Sequence, residues 1–422
     1  MPSWMPEFVT AQFITSMVVI FLMLNMFLGA AMYLVLLERK ISAWVQDRCG
    51  PNRVGPFGLL QPIADSLKLI FKEEFMPRGV DKVLFILAPG LTVLPAMIGF
   101  AILPWGGTLD LASIPFFGLS GEVKIIGADI NIGIVYLIAV ASLGVYGVSL
   151  GGWASNNKYS FLGGLRASCQ MISYEIPMGL CLLCVILAAG SVRPYEIVSQ
   201  QLAGGEWFII HLPIVAILFF VCLLAETNRA PFDLAEAEQE LIGGWHTEYS
   251  SLKWALFFMG EYIHMVVGGA FFTLLFLGGW SLNPLGVGWD LPMNGGILMI
   301  LLQFGVILGK VFALVFLVMM IRWTLPRFRF DQLMRLAWEG MIPTTMLLLM
   351  MTSLFVYLGW LDYLWLGSLG ALVVIYFVRP LMPRQANPNH RVPLIGSRFS
   401  PLIDSESSGI DEIDTRPARP DV

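Results

Sequence analysis

The stretch LAETNRAPFDLAEAEQELIGGWHTEY (224–249) joins two long apolar runs, 208–225 and 252–280, and its reading decides the fold. Each flanking run is long enough to cross a hydrocarbon core as a helix, which takes about 20 residues. The connection carries Glu226, Asp233, Glu236, Glu238, Glu240 and Glu248, with the helix-breaking Pro231 in its middle. Carboxylates at the edge of a membrane are costly to desolvate and usually mark an ion pathway, a relay or a subunit contact.

The same alternation continues in both directions. The chain has 422 residues, 57% hydrophobic and 13% charged, the balance of a polytopic membrane protein. Apolar runs lie near 13–37, 82–104, 131–151, 165–190, 208–225, 252–280, 297–321 and 341–360, with a shorter one at 363–378. None has the two-residue alternation of barrel strands, so the spans are helices. The predicted fold is therefore all-α, a polytopic transmembrane helix bundle with eight core spans and a candidate ninth. Residues 1–381 read as one membrane domain. Residues 382–422 are rich in Pro, Ser, Asp, Glu and Arg, and read as a disordered cytoplasmic tail. The first ten residues, MPSWMPEFVT, have no basic n-region, so no cleavable signal is expected.

Charge is distributed unevenly across the connections. Of the 25 Lys and Arg, all but Lys124, Arg193 and Lys310 fall on alternate connections, counting the tail with them. The positive-inside rule then places the N-terminus outside and the carboxylate loop inside. The first inside connection, about 38–81, is too long for a turn. In it Phe57, Leu60, Ile63, Ala64, Leu67, Ile70 and Phe71 recur at helical spacing, with Asp65, Lys68, Lys72 and Glu73 among the rest. This predicts an amphipathic helix lying in the interface, where a plain surface anchor would look the same.

On a helix starting after Pro231, Asp233, Glu236 and Glu240 would share one face, and Glu238 another. Crowded carboxylates raise one another's proton affinity and exchange protons when nearby charge changes. A solvated acidic loop docking on a basic partner is the plain alternative. Glu226 at a span end, Glu175 in SYEIPMG and Glu261 in FFMGEY favour the relay, because carboxylates in apolar surroundings have no simple structural role. Arg39, Arg48, Arg53, Arg327 and Arg329 sit at the inside interface, suited to partner carboxylates in partly dry places or to contact anionic lipid. Lys40, Lys72 and Arg335 read as topology alone.

Other chemistry finds no footing. Cys181 and Cys184 form one C-x-x-C inside an apolar run, with no second pair, and read as small packing residues. His211, His246, His264 and His390 form no metal pattern, and no nucleotide fingerprint is present. No metal, flavin or iron–sulfur cluster is expected in this chain, and no nucleic-acid partner.

ERKISAWVQDRCGPNRVGPFGLLQPIADSLKL (38–69), SYEIPMG (173–179), AETNRAPFDLAEAEQELIGGWHTEY (225–249), FFMGEY (257–262) and LPRFRFDQLMRLAWE (325–339) follow in an order that resembles the H-subunit family of proton-translocating NADH:quinone oxidoreductases, the family of the first membrane subunit of respiratory complex I. The resemblance covers about 15–360. It implies an eight-span component of an enzyme complex, with no complete active site of its own. Its inside loops would form part of a quinone tunnel, with peripheral quinone-site and iron–sulfur subunits on the cytoplasmic side and small membrane subunits and lipid beside it. It also implies the bacterial inner membrane. Carried over by position, the quinone-binding residues would be Arg39, Arg48, Asp65, Phe258, Tyr262 and Arg327. The proton relay would be Glu175, Glu226, Asp233, Glu236, Glu238, Glu248 and Glu261. The segment after about 361 extends past the usual family end and inherits no role, and Cys49 stands where many relatives differ.

The nearest rival is the homologous membrane component of an energy-converting hydrogenase or ferredoxin-linked ion pump, which needs no quinone tunnel; the complete GPNRVGPFGLLQPIAD segment favours the quinone version. A free-standing transporter lacks an evident repeat to support it. A purely structural anchor would leave Glu175, Glu226 and Glu261 unexplained.

Overall fold

The computed structural model describes residues 11–111, 121–234, 243–286 and 290–378. Met1–Val373 forms one compact unit and Val374–Val422 another, and the site lies wholly in the first. The expected tail, 382–422, and Glu236, Glu238 and Glu240 lie outside the described residues.

The helices are α1 (Ala11–Val45), α2 (Gln61–Phe71), α3 (Lys82–Gly99), α4 (Gly133–Ala154), α5 (Lys158–Ala189), α6 (Pro194–Gly204), α7 (Phe208–His211), α8 (Pro213–Glu226), α9 (Ser251–Phe276), α10 (Ile297–Thr324), α11 (Phe330–Arg335), α12 (Ile342–Tyr357) and α13 (Leu364–Val378). Among the described residues seven helical stretches are long and apolar enough to cross a membrane, the last joining α11 to α12, and two shorter apolar helices accompany them. This is the polytopic helix bundle expected. α9 is the central helix, with almost every residue from Tyr262 to Phe276 buried. Between apolar helices in lipid, close packing rather than exclusion of water decides the neighbours.

Three details depart from the apolar runs. α1 continues past residue 37 to Val45, so Glu38 and Arg39 ride on its last turns instead of opening a loop. The fifth span is broken: α7 ends at His211 and α8 restarts at Pro213, whose ring cannot supply the N–H that a continuous helix needs. The last long span contains a π-helical turn, Leu336–Met341, between α11 and α12.

One end of the bundle carries a small sheet. β1 (Thr108–Asp110) pairs antiparallel with β2 (Glu122–Lys124) and parallel with β3 (Asn294–Gly295). Gln303 of α10 binds the sheet from below, accepting from Gly107 N–H and donating to Pro292 O. At this end Lys310 also donates to the carbonyls of Leu277, Gly279 and Ser281, with its ammonium 4.1 Å from the Trp207 ring centre.

The opposite, basic end carries the long connections. Lys40 Nζ donates to Phe57 O at 2.7 Å and pins the 50–60 loop to α1. Gly58 lets that loop close, with a φ of +78° and only 2.2 Å from its Cβ position to Pro51 O. Next comes α2, the expected amphipathic helix. Gln61, Pro62, Asp65, Ser66 and Leu69 face a cavity, while Ile63 and Leu67 are exposed. Ser251 Oγ donates to Leu69 O and Lys72 O, tying the start of α9 to the end of α2.

Candidate functional site

At the basic end the helix ends converge on Glu38, which is 7% exposed. Arg322 of α10 and the Tyr262 hydroxyl of α9 each donate to its carboxylate. Arg229, from the connection after α8, donates to Glu38 Oε2 at 3.3 Å. The same guanidinium reaches Glu261 Oε2 at 3.8 Å and stacks 4.3 Å from the Tyr262 ring centre. Among the described residues two carboxylates thus face two guanidiniums, and these four sum to zero charge when all are ionised. Low-dielectric surroundings strengthen each attraction, and equally the penalty for losing a partner.

Arg229 is held by the loop that carries it. Gln170, buried on α5, donates to Ala225 O at 2.9 Å, Phe232 O at 2.9 Å and Asn228 Oδ1 at 3.1 Å. Phe328 N–H donates to Pro231 O at 3.2 Å. These long-range partners take up backbone groups that a helix would use, and residues 231–234 are not helical. Asp233 is therefore placed by the tertiary fold, not by the helical face the sequence suggested. It accepts from Arg327 Nη2 at 3.2 Å.

Four cavities with shared lining residues lead from α2 to the carboxylates. The first, about 280 Å³, lies between α1, α2 and α9 and is mainly apolar, with Arg39 and Asp65 on its wall. The second, about 520 Å³, is lined by Glu38, Arg322, His246 and Trp323. Arg39, Trp254, Phe258 and Tyr262 belong to both walls. The third, about 10 Å³, shares Phe258 and Arg322 with the second and adds Arg229 and Asp233. The fourth, about 20 Å³, shares Asn228 and Glu261 with the third and adds Glu226 and His264. His246 lies in the turn before α9, outside the spans, and burial pulls its pKa down to about 4. That turn seats against α5 at Gly163, whose Cβ position is 2.7 Å from Trp245 N, so no side chain fits between them.

The family described as NADH dehydrogenase matches residues 17–353. The NADH-quinone oxidoreductase H subunit numbered 1 in Geobacter metallireducens is 46% identical over 326 residues, 77% of this chain and 92% of that protein. The H subunit of the same enzyme from Protochlamydia amoebophila is 48% identical over 326 residues, 77% of this chain and 93% of its own length. The H subunit numbered 1 in Cytophaga hutchinsonii is 45% identical over 345 residues, 82% and 94%. The chain belongs to the H-subunit family of NADH-quinone oxidoreductase. It is accordingly a membrane component of an enzyme complex, and its full active site is not in this chain alone.

Of the positions the family resemblance singled out, the structure brings Arg39, Asp65, Phe258 and Tyr262 together around the first cavity. Arg39 Nη1 donates to Asp65 Oδ2 at 2.5 Å, with side chains 48% and 25% exposed. Arg48 stands apart in the loop after α1, donating to Gln46 Oε1 at 2.7 Å. Arg327 meets the row through Asp233. Glu175 accepts from Ser142 of α4 and lies near enough to Glu226 to repel it. Glu248 accepts from Asn157 Nδ2 at 2.6 Å, away from the others. Among the described residues neither Glu226 nor Glu175 has a cationic partner. Sequence reasoning missed Glu38, Arg229, Arg322 and His264. The signal for Glu38 was its place one residue before Arg39 in ERKISAW; no local signal existed for the pairings.

Proposed function

We propose that this chain forms the membrane-embedded part of the quinone site of a proton-translocating NADH:quinone oxidoreductase and passes the energy of quinone reduction to a proton path. The observation that carries the reading is the row of cavities with shared walls. An apolar chamber beside the interfacial helix α2 suits an isoprenoid quinone, and Arg39 with Asp65 gives its wall a polar contact. Glu38 and Arg322 line the next chamber and belong to the group of two carboxylates and two guanidiniums, which any charged or hydrogen-bonding reduction product nearby would perturb. Beyond it lie Glu261 and Glu226, then Glu175. Glu226 and Glu175 have no cationic partner among the described residues, and such carboxylates in a dry bundle load and release protons when neighbouring charge changes.

The basic end carries nearly all the cations, so it faces the cytoplasm and the N-terminus lies outside in a bacterial inner membrane. Peripheral iron–sulfur and quinone-site subunits dock on that end and deliver the electrons; small membrane subunits and lipid flank the spans. Asp233, Glu236, Glu238 and Glu248 join the relay in this reading.

The test is a gentle detergent pull-down of the tagged chain, with NADH-to-quinone activity assayed on the eluate. Co-purified flavin and iron–sulfur subunits with inhibitor-sensitive quinone reduction are expected. A nickel–iron hydrogenase partner without quinone activity would overturn the quinone assignment. Within the complex, Asp65→Ala is expected to impair NADH-to-quinone turnover several-fold more than NADH-to-ferricyanide turnover. Equal loss of both would remove Asp65 from the quinone chamber.

A further inference from the structure

Glu226 and Glu261 face the innermost cavity together with two polar groups that the relay reading does not use. His264 and Trp245 line it, and His264 Nε2 and Trp245 Nε1 are both buried with no hydrogen-bond partner among the described residues. A buried donor or acceptor left without a partner is costly, so two on residues lining one cavity point to something that satisfies both. The cavity, about 20 Å³, has room for a water molecule, and Thr92 and Thr227 add hydroxyls to its lining. Small residues keep the space open. On α4, Gly144 leaves its Cβ position 3.8 Å from His264 Nε2, with no other contact.

We propose that His264 is a working member of the proton path: with Trp245 it holds a water in this cavity, and it carries protons between Glu261 and Glu226. The inference rests on the relay reading above. His264 follows Glu261 by three residues on α9, so both project from one side of the helix, while Glu226 arrives from the end of α8. A carboxylic acid gives its proton through the water to Nε2, forming imidazolium. The imidazolium then returns a proton to the other carboxylate. Only O–H and N–H bonds form and break, and no other reactant is needed. Imidazole suits the task because a ring nitrogen can both accept a proton and donate it again. Among the described residues, the titratable groups facing it are Glu226 and Glu261. Behind these stand Glu175 of α5, near Glu226, and Arg229, near Glu261; α3 and α4 contribute Thr92 and Gly144 to the wall.

The experiment compares His264→Asn, Gly144→Ala and Glu226→Gln in the assembled complex, in inverted membrane vesicles. NADH-to-ferricyanide activity normalises for assembly; NADH-to-quinone turnover, coupled proton uptake and the pH profile of turnover are the readouts. Asparagine keeps hydrogen bonding but cannot carry a proton. It is expected to cut coupled turnover about tenfold or more and to move the pH profile, as loss of a proton-transfer group does. The alanine methyl at Gly144 meets only ordinary contacts but crowds the water, so a loss in the same direction of about twofold is expected. Wild-type turnover, coupling and pH profile in His264→Asn, with Glu226→Gln impaired, would overturn the role of His264 and leave the relay standing. A normal Glu226→Gln as well would overturn the relay and this inference with it. Should His264→Asn fail to assemble, Gly144→Ala decides: an unchanged pH profile and rate would overturn the proposal.

Discussion

At the basic end, Arg229 and Arg322 converge on Glu38; at the sheet end, Lys310 reaches the carbonyls of Leu277, Gly279 and Ser281. Both bury cationic side chains in an apolar bundle. The difference lies in what answers the charge. Lys310 uses its three N–H donors on three backbone oxygens just past the C-terminus of α9, where the helix dipole is negative. Those acceptors cannot titrate, and the site is a fastener. The acceptors for Arg229 and Arg322 are carboxylates on different helices that also line cavities. A change of charge on one is felt by the rest, which suits a device that must respond.

Four measurements can break or sharpen that contrast. Removing a carboxylate from the responsive end has the largest effect. Glu38→Ala removes the carboxylate that Arg229 and Arg322 share and should cost about 3–5 kcal/mol, read as a sharp loss of assembled complex on native gels. Assembly no worse than in Lys310→Met would erase the distinction between the ends.

Next comes pH. Burial holds the folded-state pKa of His246 at about 4, below its unfolded value of about 6.5. The neutral ring's contribution is therefore whole above pH ~6.5 and is lost as pH falls toward 4, on the order of 3 kcal/mol across the window. Thermal midpoints of purified complex should separate wild type from His246→Gln at pH 7.5 and converge near pH 4.5. A constant gap would sink the assignment.

Lys310→Met leaves three carbonyls without a donor but no unpaired cation. A loss of about 1–3 kcal/mol is expected, as a modest fall in thermal midpoint with quinone turnover intact. A turnover defect at normal assembly would make the sheet end more than a fastener. The smallest effect belongs to the exposed pair: Asp65→Ala should shift stability by less than about 1 kcal/mol, since water screens Arg39–Asp65. A larger shift would mean the pair holds α2 in place.

The spans were legible because apolar runs and their basic connections follow one-dimensional rules, and α2 was legible because helical periodicity is local. Arg39–Asp65 spans only 26 residues and sits inside one motif. Glu38 meets Arg229 across 191 positions and Arg322 across 284, and nothing local encodes such a meeting. The end of α1 is not legible locally because charge at Glu38 and Arg39 imitates a loop, whereas partners elsewhere let the helix continue. Asp233 was assigned a helical face because Pro231 can open a helix; the bonds from Gln170 and Phe328 fix another conformation. His264 gives no sequence signal because a single histidine in an apolar helix forms no pattern by itself.

Phe258 lines three of the four cavities, with its ring 5.0 Å from that of Trp254 and 4.9 Å from that of Tyr262. For evolution this is a shared constraint: a lineage cannot reshape the apolar chamber at this position without also reshaping the wall of the ionic ones. For genetics it means that substitutions at Phe258 combine non-additively with changes on either side, because contacting residues share their energetic consequences. A resistance mutation here should therefore arrive with a compensating partner among the charged residues, and the pair should be inherited together.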